Sequence, residues 1–177
     1  MSWIESPENS QESYSAWLLP MEAHQSLLKT LINKLAVLND SPKFLPHCTL
    51  LSKIIRTEDF SFDKLQTVCS ELEPVKLKIS DIRGGETLFK SLYIQFLNNK
   101  NIADLQHKIV SKFKTWEPYQ FKPHLSLMYK ILSIKEQNNT ITRIDVPNHI
   151  YFDSISIMKT GKNIKKWKSV FEERMIN

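Results

Sequence analysis

Apolar and polar positions along the chain follow two periods, and the period changes at prolines, glycines and Asn/Asp/Ser clusters. Tyr14 to Leu19 is aromatic and apolar and stops at Pro20, which predicts a strand. Met21 to Leu38 places Leu27, Leu28, Leu31, Ile32 and Leu35 at the three- and four-residue spacing of an amphipathic helix, broken by Asn39 to Pro42. A strand is predicted from Pro46 to Ile54, and a helix from Phe60 to Leu72 with Phe62, Leu65, Val68 and Leu72 on one stripe. Val75, Leu77 and Ile79 alternate with Lys76, Lys78 and Ser80, the signature of a half-buried strand. Gly84-Gly85 is read as the turn of a hairpin whose second strand is Leu88 to Leu97. Ile102 to Phe113 is helical, with Ile102, Leu105, Ile109 and Phe113 inward, and Pro123 to Ile131 is a strand. Ser133 to Arg143 is a short helix or a loop, and Ile150 to Met158 is a strand. A basic turn holds Lys159, Lys162, Lys165 and Lys166. Trp167 to Met175 closes the chain as a strand, with Trp167 or Val170 as core anchors.

Two of these strands open on one formula. Phe44-Leu45-Pro46-His47-Cys48-Thr49-Leu50 and Phe121-Lys122-Pro123-His124-Leu125-Ser126-Leu127 both read aromatic, any residue, Pro, His, any residue, hydroxyl, Leu. A shift of 77 residues superposes the motifs, and also Trp17 on Ile94, Leu19 on Phe96, Leu28 on Leu105 and Ile32 on Ile109. Each half is then strand, helix, histidine strand, as duplication of one supersecondary unit would give. Two similar half-sheets about a pseudo-twofold axis would set the histidine strands side by side across a cleft. Met1 to Glu12 is polar and reads as a frayed tail, which leaves residues 13–177 as one two-lobed domain.

Composition narrows the classes. Apolar residues make up 41% of the 177 and charged residues 24%, which is ordinary for a globular protein. No apolar run is long enough to span a bilayer, and Met1 to Gln11 has no apolar core of a secretory signal. Cys48 and Cys69 make no disulfide framework, so a reducing, cytoplasmic setting is expected. The net charge of +5 suits a phosphate-bearing ligand and is too mild to imply binding of duplex nucleic acid.

The repeated motif carries chemistry. Side chains at i and i+2 of a strand share a face, so His47 aligns with Thr49 and His124 with Ser126. Two facing imidazoles can work as a pair, one accepting a proton and one donating. The hydroxyls can donate to anionic oxygens. A phosphodiester matches this set, with two non-bridging oxygens for the donors and entering and leaving oxygens for the imidazoles. Zinc would need further ligands, and no Cys or carboxylate recurs at ligand spacing near either histidine. His24, His107 and His149 lack the duplicated context and read as structural.

The repeated Phe-x-Pro-His-x-Thr/Ser-Leu motif resembles that of the two-histidine phosphoesterase superfamily. Tyr14 to Pro20, Phe44 to His47, Pro123 to Tyr129 and the region from Asp153 to Lys168 are similar to its plant and yeast cyclic phosphodiesterase branch. The resemblance implies an α+β fold of antiparallel sheets in two lobes, with outer helices and a central cleft. It implies cofactor-free and metal-free opening of small cyclic phosphates by a monomer. The substrates implied are ADP-ribose 1″,2″-cyclic phosphate, opened to the 1″-phosphate, and nucleoside 2′,3′-cyclic phosphates, opened to 2′-phosphates. His47, Thr49, His124 and Ser126 carry over as the catalytic four, with His124 as base and His47 as acid by analogy. Trp17 and Tyr129 match positions near the substrate, though Trp17 reads equally as a core aromatic. Simple alternation turns Tyr129 away from His124 unless the strand bends. Phe89 is a further stacking candidate. The alternatives are an RNA-end or 2′–5′ phosphoesterase of the same superfamily, and a nucleotide-binding module without turnover.

Overall fold

The computed structural model of the chain describes residues 13–56, 60–115, 117–161 and 163–176. The tail expected over residues 1–12, and Lys162 of the basic turn, lie outside the described residues. Strand β1 (Ser13–Pro20) leads into helix α1 (Glu22–Asn39), and β2 (Cys48–Ile54) follows. Then come α2 (Asp63–Cys69), β3 (Val75–Thr87) and β4 (Lys90–Phe96). The chain continues through α3 (Lys100–Lys112), β5 (His124–Met128), α4 (Ile134–Ile141), β6 (His149–Thr160) and β7 (Lys168–Arg174).

Local chemistry explains the boundaries. Helix α1 ends at Asp40, whose left-handed backbone (φ 49°) turns its N–H onto the Ala36 carbonyl. The Asn99 side chain accepts from the Ile102 N–H and starts α3. The stretch left open between helix and loop is α4. Ser133 and Glu136 form a reciprocal capping box at its start, a signal present in the sequence as Ser-x-x-Glu.

Among the described residues all strand pairings are antiparallel, and one seven-stranded sheet runs β1-β2-β5-β4-β3-β6-β7, with β1 also pairing β6. Strands β1 to β6 therefore close a hydrogen-bonded circuit. The two half-sheets anticipated from the repeat are its halves. Two junctions join them, and each sets equivalent residues of the two repeats opposite one another: Cys48 pairs with Leu125, and Val75 pairs with Phe152. Both pairs are separated by the same 77 residues that superpose the motifs, so a pseudo-twofold axis passes through both junctions.

One face of the sheet, with Ala16, Leu18, Leu50, Leu92, Ile94, Leu125, Leu127, Ile155 and Ile157, packs on Leu28 and Ile32 of α1 and Leu105 and Ile109 of α3. Each fully buried leucine here contributes roughly 1.5–3 kcal/mol by leaving water. A smaller cluster of Trp17, Leu19 and Met158 lies on the opposite face. Among the described residues no helix is long and apolar enough to cross a membrane.

Two expectations change. Gly84-Gly85 is not the hairpin turn. Strand β3 runs through both glycines, and Thr87 pairs with Lys90 across a turn at Leu88-Phe89. The glycines serve close approach instead. A Cβ on Gly84 would sit 1.9 Å from Gln137 Oε1, and one on Gly85 would sit 2.1 Å from the Lys90 carbonyl oxygen. Trp167 is also not in the main core. It packs against the Trp17 cluster on the opposite face, while Val170 packs on the main core.

Candidate active site

The histidines meet at the β2–β5 junction. His47 immediately precedes β2, and His124 opens β5. The Cys48–Leu125 pairing follows each by one residue, so both imidazoles emerge on the face opposite the main core, beside the axis. The proline before each histidine has a definite role. It fixes its own φ and holds the preceding residue extended, which folds that residue's carbonyl back over the ring. His47 Nδ1 donates to the Leu45 carbonyl at 2.6 Å, and His124 Nδ1 donates to the Lys122 carbonyl at 2.7 Å. A carbonyl only accepts, so each Nδ1 carries the hydrogen and each Nε2 presents a lone pair. The repeated tripeptide x-Pro-His thus sets the tautomer twice.

Each imidazole has an aromatic neighbour. The Trp17 indole lies flat on His47, with ring centres 3.4 Å apart and planes 5° apart. Tyr93 meets His124 edge to face at 5.6 Å. The registers are equivalent: Trp17 lies opposite Thr49, and Tyr93 lies opposite Ser126. The 77-residue shift sets Trp17 on Ile94, one position away. An irregularity in each edge pairing, at Ala16/Trp17 and at Leu92/Tyr93, moves the counterpart to Tyr93. Sequence reasoning missed Tyr93 for that reason. Trp17 satisfies both of its readings, being 3% exposed and in contact with a candidate histidine.

The hydroxyls differ. Thr49 is half-buried, and its carbonyl accepts from the Tyr119 phenol at 3.3 Å. Ser126 Oγ donates to the Phe89 carbonyl at 2.7 Å, which ties the β3–β4 turn to the site, and it also contacts the Tyr129 phenol. Strand β5 ends at Met128, so alternation no longer governs Tyr129. Tyr129 turns back and stacks on Phe44 at 3.7 Å, and it meets Phe89 at 5.2 Å and Trp167 at 5.9 Å. Trp167 in turn reaches Trp17 at 5.5 Å, and Phe44 reaches His47 at 6.4 Å. An aromatic ring of Trp17, His47, Phe44, Tyr129, Phe89 and Trp167 is thereby closed. Its one conspicuously open member is Phe89, 45% exposed at the tip of the turn. All seven residues singled out from the sequence, His47, Thr49, His124, Ser126, Trp17, Tyr129 and Phe89, therefore gather in one region.

Burial sets the electrostatics. The His47 pKa is pushed down to about 3, chiefly by desolvation and further by the neighbouring His124 charge. The His124 pKa also falls, through desolvation first and then the charge of Lys90. In both cases the carbonyl bond to Nδ1 works the other way and supports the charged form. At neutral pH the unliganded pair is uncharged. Cys48, buried between the motifs, is held as an inert thiol with its pKa pushed up to about 12 by burial. His24 lies outside this region and stacks on Tyr151.

Two histidines and two hydroxyls, set about a pseudo-twofold axis on antiparallel strands with outer helices, make up this candidate site. The profile of the family described as cyclic phosphodiesterase-like protein matches residues 13–172. The chain belongs to that family, and it is a phosphodiesterase. It is 24% identical over 132 residues to the cyclic phosphodiesterase of Arabidopsis thaliana, covering 75% of this chain and 73% of that one. The solved structure of LigT from E. coli complexed with 3′-AMP superposes with a TM-score of 0.57 at 10% identity, over 94% of this chain and 99% of that chain. The structure of TT0787 from Thermus thermophilus does so with a TM-score of 0.57 at 12% identity, over 92% and 97%.

Proposed function

We propose that this phosphodiesterase opens small cyclic phosphodiesters without a metal or cofactor, through His47 and His124. It acts on nucleoside 2′,3′-cyclic phosphates to give 2′-phosphates, and on ADP-ribose 1″,2″-cyclic phosphate to give the 1″-phosphate. Residues 13–177 act as one two-lobed domain and a monomer, in a reducing, cytoplasmic compartment where the buried thiols of Cys48 and Cys69 stay free. The observation that carries the reading is the paired Nδ1-to-carbonyl anchoring, which leaves Nε2 as the basic nitrogen of each ring at the junction where the two histidine motifs meet. Solved LigT structures complexed with phosphate, 3′-AMP and ATP support a small nucleotide as ligand.

In the reaction, Thr49 and Ser126 donate to the non-bridging oxygens. For Ser126 this requires its hydroxyl to leave the Phe89 carbonyl. His124 Nε2 takes a proton from water as the water oxygen bonds to phosphorus. The P–O3′ bond of a 2′,3′-cyclic phosphate breaks, and His47, protonated at Nε2, gives its proton to the departing 3′-oxygen. The division is carried over from the resemblance. Burial shifts both rings toward the neutral form, so the proton that His47 donates must be favoured by the bound anionic phosphate. Trp17, lying flat on His47, keeps its ring in the donating position.

The test is turnover of 2′,3′-cyclic AMP in EDTA, followed as a function of pH. The account expects full activity in the chelator and adenosine 2′-phosphate as the product. The pH dependence of kcat/KM reports the unliganded pair, which must hold one proton between two imidazoles. Both pKa values lie below the ordinary 6.5, with His47 near 3, so a bell with its maximum on the acid side of pH 6.5 is expected. A bound anionic phosphate favours the imidazolium form, so the kcat profile moves to higher pH. Activity lost in EDTA and restored by zinc would refute the mechanism, as would a profile still rising at high pH.

A further inference from the structure

The four most exposed large apolar side chains among the described residues are Ile134 at 76%, Val37 at 72%, Leu38 at 69% and Ile131 at 61%. They come from separate stretches of the chain that the fold brings together. Val37 and Leu38 lie in the last turn of α1, just before Asn39. Ile131 follows Lys130 in the segment after β5, and Ile134 opens α4. Lys130 joins these stretches. Its ammonium donates to the Asn39 carbonyl at 2.6 Å. The Ser133 hydroxyl and N–H, and then the Lys130 charge, hold the Glu136 carboxyl below its usual range, which sets Lys130 beside the first turn of α4. The exposed turn at Leu88-Phe89 borders the same ground. There the Ser91 hydroxyl donates to the Lys130 carbonyl, and Gln137 Nε2 of α4 donates to the Gly85 carbonyl at 2.8 Å.

Packing within the chain does not account for these side chains. Helix α1 meets the core through Leu28, Ile32, Leu35 and Ala36, which leaves Val37 and Leu38 outward. Helix α4 is inverted: it buries the polar Gln137 and exposes Ile134. Single exposed apolar residues are ordinary, but a cluster of them marks a surface that something covers. Lysines ring the cluster. Lys34, one turn before Leu38, and Lys43 and Lys135 are all exposed, and none makes an ion pair among the described residues. Of the nearby carboxylates, Glu136 is engaged in capping its own helix.

This composition indicates the occupant. Hot spots between proteins favour Trp, Tyr and Arg, with Leu and Val under-represented and Lys depleted. Here aliphatic side chains and lysines predominate. They project from a helix end, a loop and a helix start, and do not line a groove. A bilayer surface takes this arrangement: aliphatic tips sink into the boundary between headgroups and acyl chains, and ammonium groups meet anionic headgroups. Such a peripheral contact needs no spanning helix.

We propose that the surface formed by Val37, Leu38, Ile131 and Ile134, ringed by Lys34, Lys43 and Lys135, docks the protein onto an anionic lipid bilayer. Leu88 and Phe89 border that surface, so docking holds the β3–β4 turn of the candidate active site beside the headgroups.

The experiment is flotation of the full chain with two kinds of vesicle, phosphatidylcholine alone and a roughly three-to-one mixture of phosphatidylcholine and phosphatidylserine. It is run on the unaltered chain, on Val37→Ser with Leu38→Ser, on Ile131→Ser with Ile134→Ser, and on Lys34→Gln with Lys135→Gln. Val37→Leu is the control that keeps the apolar surface. The unaltered chain is expected to float with the anionic vesicles, and less so as salt is added. Each aliphatic pair is expected to lower the partition coefficient by about tenfold or more, because anchoring scales with the buried apolar groups. The lysine pair is expected to lower it by about tenfold or more, and Val37→Leu to preserve it. All the altered side chains are exposed, so the near-ultraviolet dichroism of the tryptophans is expected to stay unchanged and lost flotation reads as lost docking. No flotation of the unaltered chain with anionic vesicles would overturn the proposal, and so would flotation that survives both aliphatic variants. Equal flotation with the neutral vesicles would overturn it as well, since the lysines would then contribute nothing. Sedimentation velocity without lipid identifies the other occupant. A dimer that the aliphatic variants dissolve, in a chain that ignores vesicles, would make this surface a contact between copies and refute lipid docking.

Discussion

His124→Ala lowers kcat on 2′,3′-cyclic AMP by about 10²–10⁴-fold, the range of a positioned general acid or base. His47→Ala falls in the same range. Each ring is anchored through Nδ1 and presents only Nε2, so neither can take over the other's face of the phosphorus. Because the two act as a unit, the double variant loses little more than either single one. The expected change is in kcat, with KM for the substrate moving far less. His124→Ala is the cleaner case, because His47 fills space against Trp17 and Phe44 and its removal also opens a cavity. Near-ultraviolet dichroism of the tryptophans reports that packing, so lost chemistry and lost structure are read separately. Either variant retaining more than about a tenth of the original kcat would remove the acid–base pair from the account.

The second large effect is at the hydroxyls. Thr49→Val keeps the shape and removes the donor, and a fall in kcat of about 10²-fold is expected from losing one hydrogen bond to developing charge, about 3 kcal/mol. Ser126→Ala loses the same donor and also the tie between Oγ and the Phe89 carbonyl. That bond is already given up when the hydroxyl turns to the phosphate, so kcat is expected to fall while KM changes little. Thr49→Val should leave KM near its original value. If both hydroxyls can be removed without lowering kcat, they do not hold the phosphoryl oxygens.

Much of this arrangement is legible in the chain. The duplicated motif announces the histidine pair, and the spacing of 77 residues is the separation found at both junctions between the halves. Helical periodicity locates α1 and α3, because their buried stripes of Leu28, Ile32, Leu105 and Ile109 repeat at three to four residues. The misreadings share a cause: a residue's role was set by what lies across from it, which local pattern does not encode. Gly84-Gly85 has the composition of a turn, yet the glycines are there because Gln137 and the Lys90 carbonyl approach them from elsewhere in the fold. Tyr129 departs from alternation because β5 stops at Met128 and aromatic packing on Phe44 takes over. Tyr93 is hidden by a one-residue irregularity in strand pairing. Trp167, nominally a residue of the last strand, precedes it and completes the aromatic ring, and its indole N–H donates to the Gly161 carbonyl at 2.8 Å.

The central claim is that two imidazoles grip one phosphate. Nuclear magnetic resonance of the histidine rings during titration with adenosine 2′-phosphate tests it most directly. The account predicts that the His47 and His124 ring signals move together along a single binding curve, both toward the protonated form, while His24, His107 and His149 stay in place. Movement of one ring without the other, or of neither at saturation, would contradict it.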